Sequence, residues 1–253
     1  MRSAGVLAGE CQHRPGARPI QSLATVMIRG KRPVRHPVLV AIVGGSGAGK
    51  SWLADKLAEQ LGRNVSRISQ DDFYHDRSHL SPARRALINF DHPRAIDWVR
   101  LENVLQECRA GRTAKLPKYD FATHSHRSRE TKLRPRRFIL VDGLWLLRRP
   151  SVRQLFDLTV FIECPAKTCL ARRLARVVAS RGRTRASIQK QFWTTVEPMH
   201  SRFVAPQNRH ADIVLEAVID SAVLQRLSKH ITALVLENYS RSRQPERPGG
   251  KAR

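Results

Sequence analysis

An α/β domain with a doubly wound, mostly parallel sheet flanked by helices is the fold class this sequence predicts, and three observations carry the prediction. Short continuous apolar runs rich in β-branched residues recur along the chain, and such runs read as buried parallel strands. Amphipathic helical patterns separate several of them. The first run leads through a glycine-rich loop into a helix, and open α/β sheets bind their ligands at such strand ends.

Each element has its own justification. Val38–Gly44 (VLVAIVG) is apolar throughout and ends in glycine, so it is the first strand. In Lys50–Leu61, Leu53, Leu57 and Leu61 recur at fourfold spacing between charged residues, and Gly62 supplies a carboxyl-terminal cap. Val65–Ser69, residues 138–142 (FILVD) and residues 159–163 (TVFIE) are the next expected strands, with a short one at 213–215. Helical patterns fall at 95–110, 166–180, 187–195 and 221–236. There is no internal repeat. The closing stretch SRSRQPERPGGKAR has nothing to bury and is expected to be disordered, as is the basic leader. The expected organisation is a leader over 1–36, one domain over 37–238 and a basic tail over 239–253.

Composition narrows the function. With 253 residues, 41% hydrophobic and 26% charged, the chain is an ordinary globular protein, neither collagen-like, coiled coil nor disordered throughout. A mean hydropathy of −0.41 and the lack of a long apolar run argue against a membrane protein. The formal charge of +25 predicts polyanionic company, such as nucleotides or nucleic acid. Residues 1–36 hold seven bases and one acid, residues 239–253 five and one, and the stretch between still carries about +15, so the body itself is basic. Cys11, Cys108, Cys164 and Cys169 show no paired spacing, which fits a reduced compartment, and a cytoplasmic location is expected. The Arg-rich leader has the character of an organellar transit peptide, while Met27 offers an alternative start; a dispensable leader is the preferred expectation.

The sharpest local signal is Gly44-Gly45-Ser46-Gly47-Ala48-Gly49-Lys50-Ser51, which fits G-x-x-x-x-G-K-[ST] between an expected strand and an expected helix. Glycines let the backbone turn its N–H groups inward, where they and the helix amino terminus cradle phosphate oxygens. Lys50 is positioned by the motif to reach the β- and γ-phosphates, and the Ser51 hydroxyl to ligate Mg²⁺. A P-loop NTPase fold follows. Asp142, ending an apolar strand beside Gly143, is the expected second acid near the metal; its bland reading is a turn residue.

Further strings follow the P-loop in order: Gln70-Asp71-Asp72-Phe73-Tyr74, Asn89-Phe90-Asp91-His92-Pro93, Tyr119-Asp120-Phe121 with His124-Ser125, and Ser180-Arg181-Gly182-Arg183. Glu197-Pro198-Met199-His200, Phe203-Val204 and Ala211-Asp212-Ile213-Val214 continue the series. Together they resemble the uridine kinase (uridine/cytidine kinase) family, related to phosphoribulokinase, over residues 38–236. The resemblance implies transfer of the γ-phosphoryl of ATP or GTP to the 5′-hydroxyl of uridine or cytidine, with Mg²⁺, by a P-loop nucleoside kinase domain.

It also implies roles for particular residues. Asp71 matches the family's catalytic carboxylate, serving as general base beside Lys50 and joining Ser51 and Asp142 at the metal. Asp72 stands where the family usually has a small hydroxyl residue, so two adjacent carboxylates are offered, and which of them acts stays open. Asp91 matches the acid that binds the ribose hydroxyls, while Tyr119, Phe121, His124 and Gln191 match groups around the base. Ordinary core packing is the alternative for the two aromatics. Arg173, Arg176 and Arg183 belong to an Arg-rich lid over the phosphates, which Gly182 lets bend; a solvated basic helix face is the alternative. Asp220 matches a position near the ATP base. A tetramer of such chains is the family's common assembly, with no membrane partner. Two rivals remain at this point: a P-loop kinase of another small alcohol, and a nucleic-acid-binding P-loop protein using the basic surface.

Overall fold

The computed structural model describes residues 36–241 other than 122, 128, 182 and 183. Its elements are β1 (Val38–Gly44), α1 (Lys50–Leu61), β2 (Val65–Ser69), α2 (Pro82–Ala86), α3 (Trp98–Arg109), β3 (Ala114–Leu116), β4 (Tyr119–Asp120), β5 (Ser125–His126) and β6 (Thr131–Leu133). Then come β7 (Phe138–Gly143), α4 (Pro150–Arg153), β8 (Leu158–Glu163), α5 (Ala166–Arg181), α6 (Arg185–Gln191), α7 (Glu197–Met199), β9 (Ile213–Glu216) and α8 (Ser221–Arg241).

The main sheet has five strands in the order β2-β7-β1-β8-β9, all parallel. Alternation along each strand divides the core. Leu39, Ala41, Val43, Ile139, Val141 and Phe161 face one layer, where Trp98, Leu101 and Leu105 of α3 pack with Trp145 and Phe203. Val40, Ile42, Leu140 and Val160 face the other, against Leu53 and Leu57 of α1 and Leu227 and Ile231 of α8. Both faces are covered, which is why β1 and β7 are buried from end to end.

Strand order positions the site. β1 lies between β7 and β8, so connections leave it in both directions and a crevice opens at its carboxyl end. The register places Ser69 of β2 opposite Asp142 of β7, and Gly143 opposite Val43 of β1. The loops after β1, β2 and β7 therefore meet at one edge.

Three features depart from the sequence expectations. The helix expected at 95–110 starts at Trp98, because Pro93–Ala95 forms a 3₁₀ turn, Ile96 is extended, and Asp97 caps the helix by accepting from the Arg100 N–H at 3.0 Å. The helix expected at 187–195 starts two residues earlier, at Arg185, capped by Thr184. It continues through π-helical turns at Phe192–Val196 and His200–Val204 into a 3₁₀ segment over Ala205–His210, with Pro198 and Pro206 removing two N–H donors along the way. Two antiparallel ribbons, β3 with β6 and β4 with β5, stand outside the main sheet; strands of two or three residues carry no readable periodicity. The leader, the end of the tail, and Gly182 and Arg183 at the expected lid turn lie outside the described residues.

Candidate active site

The phosphate end is made mostly of backbone. Gly47 and Gly49 adopt φ of +87° and +104°, and a Cβ on Gly47 would lie 2.6 Å from the Cys169 carbonyl oxygen of α5, so the loop needs glycine there for both reasons. α1 starts with no side-chain cap and no acid in its first turn, so no side chain of its own claims its amino-terminal N–H groups. Lys50 folds over the loop and donates to the Gly45 carbonyl oxygen at 2.8 Å. Withdrawal from water pulls the Lys50 pKa down, against the raising pull of Asp71 and Asp142. Arg172 of α5 braces the loop, donating to the Ala48 carbonyl at 3.0 Å and the Ala217 carbonyl at 3.1 Å.

Three acids gather at the carboxyl ends of β2 and β7, Asp142 within the last two residues of β7 and Asp71 and Asp72 in the turn after β2. Asp142 is buried; one oxygen accepts from the Ser51 hydroxyl at 3.0 Å and the other pairs with Arg67 at 3.2 Å. Asp71 sits in the 3₁₀ turn after β2, its N–H bound to the Ser69 hydroxyl at 3.4 Å. Loss of water raises its carboxyl pKa; Lys50 opposes the rise, and Asp142 and Asp72 add to it. Asp72 is turned the other way, accepting from Lys118 at 3.2 Å and from the Tyr119 N–H at 3.3 Å. The geometry thus separates the two neighbours: Asp71 shares the field of Lys50 and Asp142, while Asp72 ties the turn to β4.

Among the described residues no cluster of three or more His, Cys, Asp or Glu could hold a metal ion alone. The donor set nevertheless fits Mg²⁺ carried with phosphates, since that ion takes one or two protein oxygens and completes its shell with phosphate and water. The Ser51 hydroxyl against the Asp142 carboxylate, with Asp71 nearby, is such a set.

The opposite wall is aromatic. Phe90 stacks on His124 at 4.4 Å between centroids and 12° between planes. His124 has φ of +51°, the conformation that tightens the turn between β4 and β5. The Tyr119 hydroxyl lies 3.4 Å from His124 Nδ1, and burial pushes its pKa up to about 12. Phe121 stands edge-on to Tyr119 at 5.3 Å and stays 38% exposed, so its ring is partly open to solvent instead of being consumed in the core. Asp91 follows Phe90; withdrawal from water raises its pKa and Arg173 opposes the rise.

Arg173 joins the two ends. One guanidinium nitrogen donates to the Ser46 hydroxyl at 3.0 Å and another to Gln191 at 3.4 Å, while its charge is felt at Asp91 and Tyr74. Arg176, one turn on, acts on both Lys50 and Asp71. Arg183 lies outside the described residues. Asp220 caps α8, accepting from the Val223 N–H at 2.7 Å; three residues before it, the Ala217 carbonyl is held by Arg172, which also braces the P-loop.

Several residues at the site carry no sequence expectation. His200 covers Gly45 so closely that a Cβ there would meet its ring at 2.8 Å, and the two line a cavity of about 60 Å³ with Ser46, Phe192 and Glu197. Fully buried Gln70 accepts from the Leu144 and Trp145 N–H groups at 2.8 and 3.0 Å, which ties the residue before Asp71 to the loop after Asp142. Tyr74 packs between Phe90 and Tyr119. All lie inside strings that mark the family resemblance, but nothing in the strings separates a packing residue from one that orients its neighbours.

The family model described as Phosphoribulokinase / Uridine kinase family matches residues 39–224. The chain belongs to this family. Among its curated relatives, a uridine kinase of Brevibacillus brevis is 37% identical over 204 residues, covering 80% of this chain and 95% of the relative. Another, from Clostridium perfringens, is 35% identical over 183 residues, or 72% of this chain and 88% of that one. Solved structures share the fold: a putative fructose transport system kinase from Silicibacter sp. TM1040 at TM-score 0.59 and 21% identity, covering 74% of this chain and 93% of that one. The phosphoribulokinase of Rhodobacter spheroides aligns at TM-score 0.55 and 16% identity, over 72% and 70%. As a member of the phosphoribulokinase and uridine kinase family the chain is a P-loop kinase, and the expected α/β fold is the one found. No helix among the described residues is long and apolar enough to cross a membrane.

Proposed function

We propose that the chain transfers the γ-phosphoryl group of ATP or GTP to the 5′-hydroxyl of uridine or cytidine, giving UMP or CMP. The observation that carries this reading is the convergence of a P-loop holding Lys50, the carboxylates Asp71 and Asp142, and an aromatic wall with Asp91, bridged by Arg173. Donor phosphates would lie on the loop N–H groups under Lys50. The flat base would rest among Tyr119, Phe121 and His124, and Asp91 would accept hydrogen bonds from the ribose diol. An aromatic wall supports a nucleoside over a sugar phosphate, which offers no ring to stack.

In the transfer step, the Asp71 carboxylate takes the proton of the 5′-hydroxyl as its oxygen bonds to the γ-phosphorus, and the bond from that phosphorus to the β–γ bridging oxygen breaks. A pKa raised by burial makes Asp71 a better proton acceptor than an ordinary surface aspartate. Arg173 and Arg176 would spread the charge that grows on the equatorial oxygens, and Arg183 is assigned to the same lid. Ser51, Asp142 and Asp71 would hold Mg²⁺, which when bound neutralises charge on the β- and γ-phosphate oxygens. The relatives named uridine kinase are bacterial, and Cys108, Cys164 and Cys169 are free thiols, which supports a cytoplasmic setting.

The test is a phosphoryl-transfer assay with Mg·ATP or Mg·GTP against uridine, cytidine, adenosine, guanosine, ribulose 5-phosphate and no acceptor. Labelled UMP or CMP, absent with Lys50→Ala, is the expected result. A product from ribulose 5-phosphate alone, or hydrolysis without acceptor, would replace the nucleoside reading.

A further inference from the structure

A second gathering of positive charge lies outside the cleft. The 3₁₀ turn that follows Asp91 supplies His92 and Arg94, the loop after β7 supplies Arg148 and Arg149, and the π-helical turn after α7 supplies Arg202. With His75 they line an open cavity of about 710 Å³. No carboxylate lines this cavity, and among the described residues none of the four guanidiniums forms an ion pair.

Like charges disperse unless something holds them. Here aromatic faces do: the Arg148 and Arg202 guanidiniums lie 4.8 and 5.1 Å from the Phe203 ring centre, and Arg149 lies 4.8 Å from that of Trp98. Phe203 and Trp98 are themselves core residues, so the platforms are rigid. His92 accepts from the Arg94 N–H through Nδ1 at 3.0 Å. Its pKa is lowered first by withdrawal from water and then by Arg94, Arg202 and Arg148, three of the four arginines that line the cavity.

We propose that this cavity is a second anion site, distinct from the P-loop, which takes the polyphosphate group of a nucleotide-sized ligand on Arg94, Arg148, Arg149 and Arg202. Planar guanidiniums match phosphate oxygens two at a time, and four around one cavity suit a chain of linked phosphates better than a single carboxylate. The volume lies within the roughly 300–1,000 Å³ of small-ligand sites, which favours a compact ligand over an extended nucleic acid. The site adjoins the cleft at two points. His92 directly follows Asp91, and Arg202 shares a helical run with His200 above Gly45. This site goes beyond the kinase reading, which does not require it.

The experiment is calorimetric titration of inorganic tripolyphosphate into the full chain. Two binding events are expected, one removed by Lys50→Ala and the other weakened roughly 100-fold by Arg148→Ala/Arg202→Ala, about tenfold per arginine. Arg148→Lys/Arg202→Lys keeps the charge without the planar fork and is expected to fall between. Arg63→Ala/Arg226→Ala removes the same charge from exposed positions away from the cavity and is expected to leave both events intact. A single event lost in Lys50→Ala overturns the proposal. So does equal weakening by the Arg63→Ala/Arg226→Ala control, which assigns the binding to overall charge. Binding of single-stranded RNA sensitive to Arg148 and Arg202, with no tripolyphosphate binding there, also overturns it, in favour of a nucleic-acid face.

Discussion

The two ends of the cleft are built on different principles. The donor end is contiguous: β1, its loop and the start of α1 place phosphate-binding N–H groups and Lys50 within one short stretch, and glycine geometry does most of the shaping. The acceptor end is assembled from Tyr74, Phe90, Asp91, Tyr119, Phe121 and His124, which meet only because a two-residue ribbon folds over the turn after β2. A site made of backbone is fixed by local sequence. A site made of side chains depends on every packing contact beneath it.

The sharpest way to break this comparison is at the join between the ends. Asp71→Asn keeps shape and hydrogen bonding and removes the base, so kcat is expected to fall by about 10²–10⁴ while binding of the donor nucleotide persists. Asp72→Asn should loosen the contacts with Lys118 and the Tyr119 N–H and act mainly on KM for the acceptor. If Asp72→Asn shows the larger loss in kcat, the two carboxylates have been assigned in the wrong order.

Asp91→Ala sharpens the contrast. Loss of hydrogen bonds to a charged group should raise the acceptor KM roughly 10- to 100-fold and leave the donor KM unchanged. Arg173→Ala touches Ser46 on one side and faces Asp91 on the other, so both constants should rise. Equal effects of Asp91→Ala on donor and acceptor would mean that the ends are not separable.

How much was legible in the sequence follows the same division. The P-loop, the strand ending in Asp142 and the α/β class could be read directly, because apolar runs and glycine spacing are local signals, and the sheet and family match agree with them. The strings around Asp71, Asp91 and Tyr119 pointed to candidates that the fold does bring to one cleft, though their roles rest on the proposed reaction. Asp72 shows what was missing. Its partner Lys118 lies far along the chain, and only the fold reveals which way the carboxylate turns. Gln70 and His200 were in view as letters, but their orienting contacts are with Leu144, Trp145 and Gly45, and no periodicity encodes those.

Gln70 offers a smaller effect on stability. Gln70→Leu keeps the volume but leaves the buried Leu144 and Trp145 N–H groups without their acceptor, at about 2 kcal/mol or more. Urea unfolding measures the loss. Because the same contacts hold the loop after Asp142 against the turn bearing Asp71, kcat should fall further than the donor affinity. A stable variant with unchanged kcat would show that the clamp holds the fold and not the site.

The smallest effect probes His200, which belongs to the donor end yet is a side chain. Withdrawal from water lowers its pKa; Glu197 opposes this and Lys50 adds to it, so the folded protein keeps a neutral ring over Gly45. An unfolded chain protonates histidine near its ordinary value of about 6.5. As pH falls below that value the unfolded state binds the proton first, and stability declines until the lower folded pKa is reached. His92 and His210 are shifted in the same direction, so His200→Gln should remove only part of the slope. Unfolding free energies at pH 7.5 and pH 5.5, compared between the native chain and His200→Gln, measure that part. A stability difference between the two proteins that is the same at both pH values would mean that His200 titrates alike in the folded and unfolded chain, and its ring would then cover Gly45 by packing without contributing to the pH slope.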